Sequence, residues 1–195
     1  LTSNTNVFNA AQPNAGGTAV ALTVGGNNAS TTYSAAMSGL GGLVKAGTGT
    51  LTLSGTNTYA GATTINAGIL NITGALSSSS GTVTVNSGGT LAGTGSVARA
   101  TTVSGGGAIA PGAGGSGTAG TLTLSGGLTL TTGAVLKLDL AGTTTSDKLA
   151  VSGTFAASGT TTVNLTALGS FAGSGTYPLI TGASGISAAN FALGS

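Results

Sequence analysis

Residues 42–70 read GLVKAGTGTLTLSGTNTYAGATTINAGIL. Within them, Thr50-Leu51-Thr52-Leu53, Thr63-Thr64-Ile65-Asn66 and Ile69-Leu70-Asn71-Ile72 alternate aliphatic and polar side chains. A period of two is that of a strand with one buried and one open face. Gly47, Gly49, Gly55 and Gly68 bracket the segments, at corners tight enough to call for positive φ. Leu51, Leu53, Ile65 and Leu70 are expected to point inward. Asn57 is expected to stack in a turn or to satisfy its backbone, and Tyr59 to cover an edge of the core.

The same pattern continues downstream at 82–85, 101–103, 121–124, 128–130, 135–140, 148–151, 161–165 and 177–180, mostly with glycine between. No helical periodicity of useful length interrupts it, so the fold is expected to be all-β. The strand anchors Ile65, Val85, Val103 and Leu124 also recur at longer range, at intervals of about 20 residues, which is the mark of stacked repeats. The expectation is a β-solenoid with rungs of about 20 residues, each stacking Val, Leu or Ile on its neighbours. About eight rungs, roughly 4.8 Å apart, would make a rod about 40 Å long. A jelly roll or immunoglobulin-like sandwich would bring more aromatic core residues and less regular spacing. Residues 1–41 are richer in Asn and Ala and weaker in strand signal. They are expected to form an N-terminal cap or assembly arm, with the solenoid over 42–195.

Composition narrows function. The chain of 195 residues has 4 Lys and Arg, 2 Asp and Glu, no His and no Cys, and charged residues make up 3% against the usual quarter. Gly, Ser, Thr and Asn dominate the polar remainder. Disordered chains combine low hydrophobicity with high net charge, whereas here mean hydropathy is +0.44 and net charge is +2. Short strands with regular turns are therefore the better reading. The bases Lys45, Arg99, Lys137 and Lys148 are scattered and form no stripe for phosphates, which excludes a nucleic-acid reading. No stretch has the length of a membrane-spanning helix. No basic start, apolar run and cleavage site stands at Leu1, which fits a mature form or an internal segment of an exported chain.

Catalytic chemistry finds few residues. A hydrolytic triad needs a base, and a zinc site needs His or Cys. No catalytic, cofactor-binding or metal-ligating residue is therefore assigned, and no cofactor is expected. Asp139 and Asp147 are the two acids, close to Lys137 and Lys148. They are expected to form an ion pair and a turn cap rather than the carboxylate pair of a polysaccharide-active enzyme. Gly112-Ala113-Gly114-Gly115-Ser116-Gly117 lacks the Lys-Ser/Thr ending of a phosphate loop and reads as a corner.

The stretch 42–70 resembles the autotransporter-associated β-strand repeat. The matching positions are Gly42, Leu43, Lys45, Gly47, Gly49, Thr50, Leu51, Leu53, Gly55, Asn57, Tyr59, Gly61, Thr64, Ile65, Gly68 and Leu70. GGTLAGTGSV at 88–97, AIAPG at 108–112, GTLTLSGGLTL at 120–130, SDKLAVSGT at 146–154 and TYPLI at 176–180 are similar to the usual sequel. The resemblance implies a right-handed parallel β-helix, carried to the surface or exterior of a Gram-negative bacterium. It also implies adhesive, biofilm or scaffold roles. One full copy of the leading motif is present, and no run of ten-residue alternating strands indicates an outer-membrane barrel in this chain. Low charge removes the self-repulsion that keeps proteins apart. The expected function is a self-associating scaffold or filament subunit, a homo-oligomer without enzymatic activity, with surface glycans as a further partner. An adhesin for host or abiotic surfaces is the alternative.

Overall fold

A computed structural model describes residues 8–9, 19–114, 117–141, 145–168, 176–184 and 186–194. The described strands are β1 (Phe8–Asn9), followed by turns of three strands each. The first turn holds β2 (Ala21–Val24), β3 (Thr31–Tyr33) and β4 (Met37–Ser38), and the second β5 (Gly42–Lys45), β6 (Thr50–Leu53) and β7 (Thr56–Asn57). Next come β8 (Thr63–Ile65), β9 (Gly68–Ile72) and β10 (Ala75–Leu76), then β11 (Thr82–Val85), β12 (Gly89–Gly93) and β13 (Ser96–Val97). They are followed by β14 (Ala100–Val103), β15 (Ala108–Ala110) and β16 (Thr121–Leu124), then β17 (Leu128–Leu130), β18 (Val135–Leu140) and β19 (Lys148–Val151). The last turn has β20 (Phe155–Ala157), β21 (Thr161–Ala167) and β22 (Ile180–Thr181), and β23 (Phe191–Leu193) follows.

All strand pairing is parallel, and each strand pairs with its equivalents one turn away. The order β2-β5-β8-β11-β14-β17-β20 makes a first face, β3-β6-β9-β12-β15-β18-β21-β23 a second, and β7-β10-β13-β16-β19-β22 a third. Strand β4 lies under β7, because the Thr58 N–H donates to the Met37 carbonyl. The chain is a parallel β-helix, the fold expected from its sequence.

Alternation turns this backbone into columns. On the second face Leu51, Leu70, Leu91, Ile109 and Leu136 stack in register and are buried. On the first face Ile65, Val85, Val103 and Leu130 do the same, and on the third Leu76, Val97, Leu124 and Val151. Removing this much aliphatic surface from water is the main stabilising term.

The turns are not equal in length. On the first face the register runs from Leu43 through Thr63 to Val83 in equal steps and contracts slightly on the way to Thr101. The next two steps, to Leu128 and then to Phe155, are much longer. Val103 therefore stacks on Leu130, whereas Leu124 belongs to the third face, so the interval from Val103 to Leu124 read from the sequence joined two different columns. The extra length leaves the stack after β15. A single helical turn, α1 (Pro111–Gly114), packs on β12, and a Gly93–Gly112 bridge fixes it. Outward-facing Thr90, Ala92, Ala108 and Ala110 are buried there, so β12 and β15 are covered on both sides.

Pairing also runs unbroken across residue 42, since Ala21 to Val24 pair one by one with Gly42 to Lys45. Residues 19–41 are thus a turn of the same stack, upstream of the boundary expected from the sequence. The rest of that expected arm, at 1–7 and 10–18, lies outside the described residues. The four corner glycines divide by role. Gly47 and Gly68 have φ of 64° and 63°. Gly49 and Gly55 are needed for close approach, because a Cβ there would strike the carbonyls of Ala29 and Ala35 one turn below.

The columns predict a sharp contrast between inward and outward positions. Leu91→Ala, at a fully buried site, is expected to lower unfolding free energy by about 2–5 kcal/mol. Thr84→Ala, on the outer side of β11, is expected to change it by less than about 0.5 kcal/mol. Urea titration of both variants checks this.

Candidate functional site

Several inward positions are not aliphatic, and these hold the buried polar chemistry of the molecule. Lys45 occupies the column of Val24 and Ile65 and is fully buried. Its Nζ bends back into the corner, donating to the carbonyls of Ala46 (2.7 Å), Gly47 (2.7 Å) and Ala67 (3.2 Å). Burial holds the ammonium below its ordinary pKa of 10.5. Asn57 heads the third-face column of Leu76, with no exposed surface. Its Oδ1 accepts from the Met37 N–H (3.0 Å) one turn below, and its Nδ2 donates to Gly55 (2.9 Å) and to Ala75 (3.3 Å) one turn above. The structure thus gives Asn57 the backbone-satisfying role, one of the two expected of it. Tyr59 is more deeply placed than expected: only 1% exposed, it lies inside the core rather than over its edge.

Tyr59 and Arg99 form one cluster. The Arg99 guanidinium lies over the Tyr59 ring, 4.3 Å from its centroid, and donates to three backbone carbonyls, those of Tyr59, Gly61 and Ser78. The Tyr59 hydroxyl shares a 2.6 Å hydrogen bond with Thr63 Oγ1. Burial raises the Tyr59 pKa and lowers that of Arg99. Nothing in the sequence pattern sets Arg99 apart from the exposed Lys137, whereas Lys45 carries a signal. The available signal was position, since Lys45 falls on the inward phase of GLVK.

Of the two acids, Asp139 lies on β18 and Asp147 directly before β19. Asp147 is fully buried, its Oδ1 accepting from the Gly120 N–H (2.8 Å) and its Oδ2 from the Asp139 N–H (2.9 Å). Asp139 Oδ2 accepts from the Gly117 N–H (2.9 Å). The expected ion pair with a lysine is absent among the described residues. The carboxylates bind the backbone N–H groups of Gly117, Gly120 and Asp139 instead. An open cavity of about 540 Å³ lies beside them, with a mixed polar and apolar lining that includes Thr118, Ala141, Thr145, Ser146, Lys148 and Leu168. Among the described residues no group of three or more His, Cys, Asp or Glu side chains comes together. Both Asp147 oxygens are thus engaged by backbone N–H groups rather than turned to this cavity.

The open surface of the first face is organised differently. Thr64, Thr84, Thr102 and Thr129 are stacked in register on four consecutive strands, each half-exposed. Two residues along stand Asn66, Asn86, Ser104 and Thr131, whose N–H groups continue the ladder. Asn86 Nδ2 donates to Asn66 Oδ1 at 2.8 Å. These two columns contain hydroxyls and amides and no charge.

Two outcomes follow from the buried groups. In native chain, trypsin is expected to spare the bonds after Lys45 and Arg99 and to cut first after Lys137 and Lys148, which are more exposed; fragment masses check this. Burial raises the Asp147 carboxyl above 3.8 against the opposing pull of its two N–H bonds. The folded state then binds more protons than the unfolded one in the window above 3.8. The contribution of Asp147 to stability is therefore full below that window and is lost as pH rises through the folded value. Asp147→Asn is expected to abolish this dependence in melts from pH 7 to pH 4. It also faces one N–H with an amide donor, at a loss of about 1–3 kcal/mol at pH 7.

Comparison with known proteins agrees with this architecture. Residues 43–72 match the passenger-associated-transport-repeat family. The chain is also 44% identical over 101 residues to the adhesin BmaC autotransporter of Brucella suis biovar 1 (strain 1330), a match covering 48% of this chain. It spans only 3% of that relative's length. Residues 43–72 begin at Leu43 in β5 and end at Ile72 in β9, thereby including Lys45, Asn57, Tyr59 and Thr63. The chain carries an autotransporter-associated repeat, set within a parallel β-helix whose other turns are built to the same plan.

Proposed function

We propose that this chain acts as a rigid, surface-exposed β-solenoid of the autotransporter passenger type, non-enzymatic, and that it works by contact between uncharged faces. The observation carrying this reading is the first face, where two polar columns run in register over four turns without a charge. Such a face has nothing to repel a second copy and offers repeated hydroxyl and amide groups to pair with it. Exposure outside a Gram-negative cell is supported by the relative, an autotransporter adhesin by name. Self-association into a scaffold or filament is the activity that the face supports best. Adhesion to host, glycan or abiotic surfaces is the second reading, favoured by that same name.

Charge placed on the face separates the two. Thr64 and Thr129 are three strands apart in the order β8-β11-β14-β17, so lysines there would not crowd each other within one molecule. Like charges juxtaposed across an interface cost several kcal/mol. Thr64→Lys/Thr129→Lys is expected to weaken self-association by at least about tenfold, measured by analytical ultracentrifugation, with the thermal midpoint kept. A wild-type chain that stays monomeric at high concentration yet coats glass or a glycan array would favour the adhesin reading. A chain that does neither would defeat both.

A further inference from the structure

Arg99 stands where the corner between the third and first faces changes size. That corner consists of residues 58–62 after β7, 77–81 after β10, and only 98–99 after β13. The shortened corner is also where the register step contracts, the step from Val83 to Thr101 being shorter than that from Thr63 to Val83. The Arg99 side chain runs back down the stack from this step. Its Nε donates to the Ser78 carbonyl (3.2 Å) in the corner one turn below. Its Nη1 donates to the Gly61 carbonyl (2.6 Å) and Thr63 Oγ1 (3.3 Å), and its Nη2 to the Tyr59 carbonyl, two turns below. The Arg99 carbonyl in turn accepts from Thr101 Oγ1 (3.2 Å) on the following strand.

This guanidinium has no carboxylate partner among its described bonds: Asp139 and Asp147 bind backbone N–H groups elsewhere. A buried cation so placed is tolerable only while carbonyl dipoles and the ring face surround it. Without it, the carbonyls of Tyr59, Gly61 and Ser78 would lose these donors inside the molecule. The interaction is reciprocal and spans 38 to 40 residues of sequence.

We propose that Arg99 is a latch that closes the two wide corners beneath it, so that the turns carrying 58–63, 77–82 and 97–103 open and close as one unit. In an ordinary parallel stack each turn is held only by its immediate neighbours. The latch adds a bond that skips a turn. It also orders assembly: the wide corners reach full protection only after the turn bearing Arg99 has docked. This device is independent of what the outer face binds.

Hydrogen exchange on the full chain, read by mass spectrometry, tests it with Arg99→Met and Arg99→Lys. In Arg99→Met, amides of 58–63 and 77–82 are expected to exchange at least about tenfold faster, while those of β16, β17 and β19 change by less than about threefold. Arg99→Lys keeps the charge but not the planar fork and is expected to fall between. Acceleration confined to 97–103, or uniform along the chain, would overturn the latch. If Arg99→Met does not fold, Arg99→Lys decides: the same gradient supports the proposal, and wild-type exchange at 58–63 and 77–82 rejects it. Complete unfolding of both also rejects it, because a latch local to two corners leaves the later turns folded.

Discussion

Parallel stacking places each side chain about 4.8 Å from its equivalent in the next turn, and the rest of the molecule answers to that constraint. Like must tolerate like along every column. Aliphatic columns do so by packing, and threonine and asparagine columns by hydrogen bonding, as between Asn66 and Asn86. A column of one charge would repel itself at every step. A composition with 3% charged residues is therefore a consequence of the architecture before it is a statement about function. The same geometry yields the uncharged columns of the first face, on which the proposed contact rests.

The exceptions to this pattern are informative because each costs desolvation. Lys45, Asn57 and Arg99 point into the core where aliphatic residues would serve. Each is turned toward corners, where backbone carbonyls and N–H groups leave the ladder. Strands satisfy their own backbone, whereas corners do not. Long polar side chains reaching from inside supply the missing partners, joining turns that the ladders alone connect only pairwise. Asp139 and Asp147 do the same for the N–H groups of Gly117, Gly120 and Asp139.

Much of the fold was legible in the sequence. The alternation in TLTL and TTIN located strands and their buried faces, since period two maps directly onto inside and outside. The recurrence of Ile65, Val85 and Val103 was a true column. The next step differs because the chain between β15 and β16 is longer and turns through α1, and no periodicity announces such an insertion. The polar core was read less well. Of the two roles open to Asn57, stacking in a turn or satisfying its backbone, the structure shows the second. In sequence Arg99 is one of four scattered bases, because the partners that define it, at Tyr59, Gly61 and Ser78, lie 21 to 40 residues away. The acids near lysines suggested ion pairs, a rule of proximity in sequence. In the folded chain backbone N–H groups compete for those carboxylates at close range.

Thr84 and Thr102 are neighbours in one outward column, and every other column shares their register. A double-mutant cycle at this pair measures that register energetically. Unfolding free energies would be compared for Thr84→Glu/Thr102→Lys and Thr84→Lys/Thr102→Lys, each against its single variants. The stacked register predicts favourable coupling for the opposite charges and unfavourable coupling for the like ones, each about 0.2–1 kcal/mol and reduced by salt. Additivity within error for both pairs would contradict the parallel stack.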